Sequence, residues 1–334
     1  MNLGSSDRPL SEIHDLAMLD LDGVVYVGAD AVPGAADSLR RARSAGMRLA
    51  YITNNASRTA AEIARHLSEL QMPEVTERDV VTSAQAVAHL VADAVPAGSA
   101  VLLVGGEGLR QPLEERGLRC VSSLGDEPAA VVQGFHPDVG WTDLAEAAYA
   151  IEAGVPWFAS NTDLTIPTAR GVAPGNGSLV QAVRNATGAD PTVAGKPESA
   201  LFDETIERFG SKRPLMVGDR LDTDIDGAIG VGIDSLAVLT GVNGLQDVMD
   251  AAPGHRPTYV SADLAGLNAQ HLGVVIDGDA SLCGSARATV VGGVLSVEGA
   301  GRHDTSALRA AVGLAWELAD RSGVRVRADG TMTP

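Results

Sequence analysis

Short apolar runs alternate with helical segments along most of this chain of 334 residues, and this alternation constrains its fold most. The runs consist mainly of Ala, Val, Leu and Ile, which suit strands buried on both faces of a sheet. Parallel strands need helical connections of this kind, so the pattern predicts β-α-β units and an open parallel sheet of the α/β class. The predicted first helix runs from about Pro33 to Gly46. The predicted strands are 16–19, 48–52, 100–104, 130–133, 156–159, 215–217 and 235–239.

Composition and charge exclude several classes of function. Aromatic residues make up 3% of the chain and the formal net charge is −18. Nucleic acids and anionic lipids are therefore repelled, and few rings are present on which bases could stack. No stretch is apolar enough to span a membrane or to serve as a signal peptide, and two cysteines cannot form a disulfide framework. We expect a cytoplasmic protein that binds neither nucleic acid nor membrane.

Polar clusters follow three of the predicted strands. Asp20 and Asp22 follow the first, Thr53-Asn54-Asn55 follow the second, and residues 219–224 follow the strand that ends at Val217. Lys196 lies in a Gly-Lys-Pro segment before the last of these clusters. Because ligands bind beyond the carboxyl ends of parallel strands, we expect these residues to form one site.

These residue types favour phosphoryl transfer. Neighbouring carboxylates without histidine or cysteine ligands suit Mg²⁺, which takes further oxygen ligands from phosphate. Thr53 and Asn54 offer a hydroxyl and main-chain N–H groups to a phosphate, and Lys196 adds a positive charge. One carboxylate can attack phosphorus while a second protonates the leaving oxygen.

Four motifs in this order resemble those of the haloacid dehalogenase superfamily, and more closely its phosphatases related to phosphoglycolate and p-nitrophenylphosphate phosphatases. The resemblance covers roughly residues 13–272. The four superfamily motifs are Asp-Leu-Asp-Gly-Val-Val-Tyr (20–26), Thr-Asn-Asn (53–55), Gly-Lys-Pro (195–197) and Gly-Asp-Arg-Leu-Asp-Thr-Asp-Ile (218–225), and the closer resemblance adds Pro-Gly-Asn-Gly-Ser-Leu (174–179).

The resemblance implies a role for each motif residue. Asp20 is the expected nucleophile and Asp22 the general acid and base. Mg²⁺ is expected to bind the Asp20 carboxylate, the Asp22 main-chain carbonyl and Asp219, with Asp224 near the metal. The residues expected to bind the phosphoryl group are Thr53, Asn54, Asn55 and Lys196.

The resemblance also implies the domain organisation. Residues 1–81 and 191–272 are the expected catalytic core, and residues 82–190 are the expected α/β cap of the C2 type. Thr168, Arg170 and Asn176 are the cap residues expected to select the substrate. Residues 273–334 are predicted to form strands at 272–276, 288–291 and 294–297, a helix at 306–321 and a strand at 324–326. They are similar to part of a GNAT acetyltransferase but lack its coenzyme A loop, so we expect no acetyl transfer.

A Mg²⁺-dependent phosphatase of small phosphomonoesters, acting through an aspartyl-phosphate, is the function that these observations favour. Because the fused C-terminal region is similar to that of actinobacterial glycerol-3-phosphate phosphatases, glycerol 3-phosphate is the expected substrate. The alternatives are 2-phosphoglycolate and nucleoside 5′-monophosphates, or a sensor that binds a phosphate ester without turnover. The expected partner is a small phosphorylated metabolite, and assembly into homo-oligomers is left open.

Overall fold

The structure is a computed structural model that describes residues 3–168, 170–301 and 304–330. The chain divides into two compact units. The first consists of Met1–Ala50, Leu70–Pro73 and Phe209–Pro334, and the second of Tyr51–Glu69 and Glu74–Arg208. The core, cap and C-terminal boundaries expected from the sequence stay a prediction.

Helices and strands alternate through the first two thirds of the chain. Their bounds are α1 (Leu10–Ile13), β1 (Leu16–Leu19), β2 (Tyr26–Val27), β3 (Asp30–Ala31), α2 (Ala35–Ser44), β4 (Arg48–Thr53), α3 (Ala60–Glu69), β5 (Val80–Thr82), α4 (Ser83–Ala94), β6 (Ala100–Val104), α5 (Glu107–Glu115), β7 (Arg119–Val121), β8 (Ala130–Gln133), α6 (Trp141–Glu152), β9 (Trp157–Ala159), β10 (Thr165–Thr168), β11 (Gly171–Pro174), α7 (Asn176–Thr187), β12 (Thr192–Val193) and α8 (Ser199–Phe209).

The last third continues the alternation and then changes to consecutive strands. Its elements are β13 (Pro214–Gly218), α9 (Asp226–Gly230), β14 (Asp234–Val238), α10 (Leu245–Met249), β15 (Tyr259–Ser261), β16 (Val275–Asp277), β17 (Ala280–Cys283), β18 (Ala286–Val291), β19 (Val294–Glu298), α11 (Thr305–Ser322) and β20 (Arg327–Ala328). Within residues 3–168, 170–301 and 304–330, no helix is long and apolar enough to cross a membrane.

Among the described residues, the first unit contains two larger sheets and the antiparallel pair of β2 and β3. Strands β15, β14, β13 and β1 lie side by side in that order and pair in parallel. The second sheet has the order β16-β17-β18-β19-β20, in which only the β19–β20 pair is parallel. Helix α11 packs on one face of this second sheet, and both contribute to a core that also contains Ile225, Leu239 and Val260.

The second unit is built around a parallel sheet of five strands in the order β12-β9-β8-β6-β7. Helices α6 and α7 cover one face, where Ala147 and Val183 pack against Val131 and Trp157. Strands β10 and β11 form an antiparallel hairpin outside this sheet, and the end of β4 pairs in parallel with β5.

The predicted α/β class and parallel sheets are confirmed. Each predicted strand between residues 16 and 239 overlaps an observed strand, and α2 lies within the first predicted helix. In the C-terminal region, β17 was not predicted, and the last strand is 327–328 rather than the predicted 324–326. Residues 324 and 325 are exposed and only Val326 is buried, so the apolar Val-Arg-Val pattern did not mark the strand.

Candidate active site

Three carboxylates converge in the first unit at the carboxyl ends of β1 and β13. Asp20 follows β1, Asp219 follows β13, and Asp224 lies in the π-helical turn Leu221–Ile225. One carboxylate oxygen from each of the three lies within 4.8 Å of the other two. The main-chain N–H of Asp20 donates to the carbonyl of Val217 at 2.9 Å, which joins the ends of the two strands.

Burial makes this cluster suited to a cation. Asp219 and Asp224 are only 2% and 0% exposed. The N–H of Val242 donates to Asp219 Oδ2 at 2.6 Å, and that of Arg220 donates to Asp224 Oδ2 at 3.1 Å. Two buried carboxylates beside a third repel one another unless a positive ion binds, and an all-oxygen donor set suits a hard divalent cation. Within the described part of the chain, no other group of His, Cys, Asp and Glu side chains has this arrangement.

Glycines allow the backbone to approach these carboxylates closely. A side chain at Gly23 or Gly241 would overlap the Asp219 carboxylate, and one at Gly218 would overlap Asp224. Gly23 also has a φ of +85°, a left-handed conformation that favours glycine. The glycines of the Asp-Gly and Gly-Asp motifs are therefore required by the space around the carboxylates. The carboxylate of Asp22 is exposed and does not belong to the converging group.

The segment after β14 supports the carboxylates, and we did not predict its role from the sequence. Thr240 Oγ1 donates to the carbonyl of Gly23, and Asn243 Oδ1 accepts from the N–H of Leu221 at 2.8 Å. The N–H of Asn243 donates to the carbonyl of Asp219 at 3.1 Å. Residues 240–243 come directly after the apolar run 235–239, and this position at a strand end is the signal that could have found them.

Asn54 and Lys196 are joined in the second unit. Asn54 Oδ1 accepts from the N–H of Lys196 at 2.8 Å, while Asn54 Nδ2 donates to the Lys196 carbonyl at 3.0 Å. Lys196 is only 4% exposed and precedes a cis peptide bond to Pro197. Both parts of the Asn54 amide therefore bind the main chain of the Gly-Lys-Pro segment.

Thr53 and Asn55 organise the turn after β4. Thr53 is 5% exposed, and its Oγ1 accepts from the N–H of Asn55 at 3.1 Å. Asn55 Oδ1 accepts from both the N–H and the hydroxyl of Ser57 at 2.8 Å. These bonds shape the backbone that leads into α3, as expected of polar side chains at a strand-to-helix turn.

The predicted cap residues lie in two different environments. Thr168 and Arg170 are exposed in the hairpin of β10 and β11, where Thr168 Oγ1 donates to the Gly171 carbonyl at 2.7 Å. Asn176 begins α7 and is only 1% exposed. Its Nδ2 donates to the carbonyl of Asn161 at 2.7 Å. The hairpin residues are therefore accessible to a ligand, whereas the Asn176 side chain faces the interior of its unit.

Comparison with known proteins identifies the family. Residues 17–119 match a family described as haloacid dehalogenase-like hydrolase, and residues 193–267 match a HAD-hydrolase-like family. A D-glycerol 3-phosphate phosphatase of Mycobacterium tuberculosis is 51% identical over 261 residues, which cover 78% of this chain and 73% of that protein. The chain belongs to the haloacid dehalogenase-like hydrolases.

Other members of this hydrolase family extend the comparison. Acid sugar phosphatase of Staphylococcus aureus is 36% identical over 74% of this chain and 94% of its own. A glycerol phosphate phosphatase of Mycobacterium tuberculosis, solved with magnesium, has a TM-score of 0.84 and 44% identity over 96% of this chain and 94% of its own. A 4-nitrophenylphosphatase of Thermotoga maritima has a TM-score of 0.72 and 29% identity over 78% of this chain and 98% of its own. The prediction of a HAD-type phosphatase is confirmed.

Proposed function

We propose that the chain hydrolyses small phosphomonoesters with Mg²⁺ as its cofactor and glycerol 3-phosphate as its preferred substrate. The convergence of the Asp20, Asp219 and Asp224 carboxylates within 4.8 Å carries this proposal. The glycerol phosphate phosphatase solved with magnesium supports the cofactor, and the relative named D-glycerol 3-phosphate phosphatase supports the substrate.

The residues around the carboxylate cluster fit a magnesium ion. Asp20 and Asp219 would hold it with their carboxylates and Asp22 with its main-chain carbonyl, while Asp224 lies beside them. When bound, the ion would neutralise the carboxylates and the charge on the phosphoryl oxygens. The Val242 N–H that donates to Asp219 and the Arg220 N–H that donates to Asp224 keep both carboxylates oriented.

Asp20 and Asp22 carry out the chemical steps of the proposal. A carboxylate oxygen of Asp20 attacks phosphorus, the bond from phosphorus to the ester oxygen breaks, and Asp22 protonates that leaving oxygen. Asp22 then takes a proton from the water that attacks the aspartyl-phosphate, which releases phosphate and restores Asp20. The exposure of Asp22 supports this role, because the residue must exchange protons with substrate and water.

The phosphoryl group is bound by the other predicted motif residues. We assign the hydroxyl of Thr53, the main-chain N–H of Asn54 and the ammonium of Lys196 to its oxygens, while Asn55, whose N–H donates to Thr53 Oγ1, holds the turn in place. Both parts of the Asn54 side-chain amide already bind the Lys196 main chain. This supports the assignment of the Asn54 main-chain N–H, rather than its side chain, to the phosphate. Cationic and N–H donors of this kind stabilise the charge that develops on a transferring phosphoryl group.

Substrate choice is assigned to the second unit. Thr168 and Arg170 are exposed on the β10–β11 hairpin, so they are the residues that we expect to contact the alcohol part of the substrate. Asn176 is expected to act by holding the start of α7 rather than by contact with the substrate.

We further propose a cytoplasmic location, because small phosphorylated metabolites are made and retained inside cells.

A substrate panel tests the proposal. Phosphate release with Mg²⁺ would be compared for glycerol 3-phosphate, 2-phosphoglycolate, a sugar phosphate, nucleoside 5′-monophosphates and p-nitrophenyl phosphate. We expect the highest kcat/KM for glycerol 3-phosphate and no turnover after chelation with EDTA. Equal or better turnover of another natural ester would reject the substrate assignment, and turnover in EDTA would reject the cofactor. Binding of esters without release of phosphate would instead support a sensor.

A further inference from the structure

Residues 160–163 form the loop that follows β9, and we predicted no role for them from the sequence. Ser160 and Asn161 are only 0% and 4% exposed. Asn161 Nδ2 donates to the carbonyl of Asn54 at 2.6 Å. A side chain at Gly195 would overlap the Ser160 carbonyl and Asn54 Oδ1, so the loop packs directly on the Gly-Lys-Pro segment.

Asp163 in this loop accepts from the Asn54 side chain. Asn54 Nδ2 lies 3.3 and 3.2 Å from the two carboxylate oxygens of Asp163 and also donates to the Lys196 carbonyl. An amide nitrogen has two hydrogens, so it can satisfy both acceptors. Asn54 Oδ1 is left to accept from the N–H of Lys196.

The Asp163 carboxylate favours the same orientation of the Asn54 amide as the Lys196 main chain does, and it strengthens that preference. An ionised carboxylate only accepts hydrogen bonds, so it favours the amide nitrogen on its side. The opposite orientation would place Asn54 Oδ1 against the carboxylate and against the Lys196 carbonyl. The same rotation would leave two donors, the Asn54 amide nitrogen and the Lys196 N–H, facing each other.

The start of α7 holds the loop from its other side. Asn176 Nδ2 donates to the Asn161 carbonyl at 2.7 Å, and the N–H of Asp163 donates to Asn161 Oδ1 at 3.2 Å. Side chains at Gly175 and Gly177 would overlap the carbonyls of Asp163 and Thr162. These contacts account for glycine, asparagine and glycine at 175–177, a segment for which the sequence predicted only a part of Asn176 in substrate selection.

We infer that Asp163 is a positioning residue, which orients Asn54 and through it the Lys196 segment for binding of the phosphoryl group. This inference rests on the role proposed for Lys196. A negative charge in this region disfavours an anionic ligand, so a direct role of Asp163 in binding phosphate is inconsistent with its chemistry. Orientation of the Asn54 amide gives the carboxylate a function that offsets this cost.

The variant Asp163→Asn tests the inference with little change of shape. An amide at 163 pairs with Asn54 in either orientation, so the contribution of residue 163 to the preference is lost and only that of the Lys196 main chain remains. We expect kcat/KM for p-nitrophenyl phosphate with Mg²⁺ to fall by roughly tenfold to hundredfold, as for other small misplacements of binding groups. KM and the inhibition constant of inorganic phosphate should rise together. The control is Asp138→Asn, whose carboxylate is 91% exposed in the same unit, and it should leave these constants unchanged.

A double-mutant cycle with Lys196→Ala separates positioning from general damage. If Asp163 acts through Lys196, Asp163→Asn should cause no further loss in the Lys196→Ala background. The inference would be overturned if the losses in kcat/KM of the two single variants multiplied in the double variant. Tighter phosphate binding by Asp163→Asn would also overturn it. Wild-type activity of Lys196→Ala would instead reject the proposed role of Lys196, which keeps the two failures distinguishable. Thermal unfolding of each variant verifies that it is folded.

Discussion

At the residue scale, Asp219 shows how packing and chemistry constrain each other. Its carboxylate is 2% exposed, accepts from the N–H of Val242 and leaves no room for a side chain at Gly23 or Gly241. Few side chains other than a carboxylate would fit the position and also offer oxygen to a cation. The choice of residue type is therefore as restricted at positions that surround the cluster as at positions that form it.

Replacement of the proposed nucleophile should abolish activity. Asp20→Asn keeps the shape of the side chain but removes the carboxylate oxygen that attacks phosphorus. We expect kcat to fall by at least roughly a thousandfold, measured as phosphate release, without a lower thermal unfolding midpoint. The matched control is Asp222→Asn in the same unit, because Asp222 is exposed and pairs with Arg220. Activity of Asp20→Asn near the wild-type level would reject the aspartyl-phosphate mechanism.

Buried His271 should make stability depend on pH. Burial lowers the pKa of His271 from 6.5 to about 4. The hydrogen bond to the Gly266 carbonyl acts in the opposite direction and raises the pKa, whereas the nearby Arg309 charge lowers it further. Between these values the unfolded chain binds a proton that the folded chain does not, so the free energy of unfolding falls as the pH falls. The loss from pH 6.5 to 4 is about 3 kcal/mol.

Urea unfolding across this pH range measures that contribution of His271. The variant His271→Asn should have a smaller slope of unfolding free energy against pH than the wild type. The exposed His255 provides the control, since His255→Asn should retain most of the wild-type slope. An unchanged slope in His271→Asn would show that other groups cause the acid sensitivity.

At the element scale, a buried carboxylate joins three helical segments of the second unit. Glu204 on α8 lies 2.6 Å from His89 Nδ1 on α4 and accepts from Arg208 at 2.8 Å and from Arg116, just after α5, at 3.2 Å. Burial alone would raise the pKa of Glu204, but these hydrogen bonds and the arginine charges lower it. The ionised carboxylate thus stabilises the packing of α4, α5 and α8.

Loss of this carboxylate should destabilise the second unit. Glu204→Gln weakens every charged contact of the cluster, and we expect it to lower the free energy of unfolding by about 1–3 kcal/mol. The exposed Glu207 on the same helix provides the control variant Glu207→Gln. The pKa of Glu204 is lowered on folding. The ionised side chain therefore adds to the free energy of unfolding at pH values above the ordinary pKa of a glutamate, and this contribution is lost as the pH falls through the pKa of the folded state. Equal unfolding free energies of the two variants at neutral pH would contradict this role.

At the scale of the whole molecule, the C-terminal region shares the core of the first unit. Trp316 on α11 is 2% exposed and its Nε1 donates to the Val248 carbonyl at 2.8 Å. Arg256 donates to both carboxylate oxygens of Asp320 and stacks over the Trp316 ring at 4.8 Å. The buried Arg309 donates to the carbonyl of Leu272 at 2.9 Å. These contacts make α11 part of the structure that carries the carboxylate cluster.

Removal of residues 273–334 should therefore destabilise the first unit. Apolar side chains of α10, β14 and β15 lie in one core with α11 and its sheet, and truncation would expose them. We expect the chain 1–272 to unfold at a temperature at least roughly 10 °C lower than the full chain, since several kcal/mol of burial is lost. Trp316→Ala tests the same contact without truncation and should cost about 3–5 kcal/mol. A stable, fully active 1–272 chain would contradict a shared core.

The sequence alone was sufficient for much of the fold and for the candidate residues of the site. Apolar runs such as 16–19 and 100–104 predicted strands because buried parallel strands need a continuous apolar sequence. Strands such as β7 and β10 were not predicted because they are short and partly exposed, so their sequences lack that signal. The rule that ligands bind beyond strand ends pointed to Asp20, Asp219 and the turn after β4.

Only the tertiary structure determined how these side chains meet and which contacts hold them. The convergence of Asp224 with Asp20 and Asp219 depends on a π-helical turn, and no residue pattern specified that turn. The bond between the Asn54 amide and Asp163 joins residues 109 positions apart. Local sequence reports the conformation of neighbouring residues, whereas contacts between distant segments arise from how strands pack. The types of chemical groups were therefore readable from the sequence, and their partners were decided by the fold.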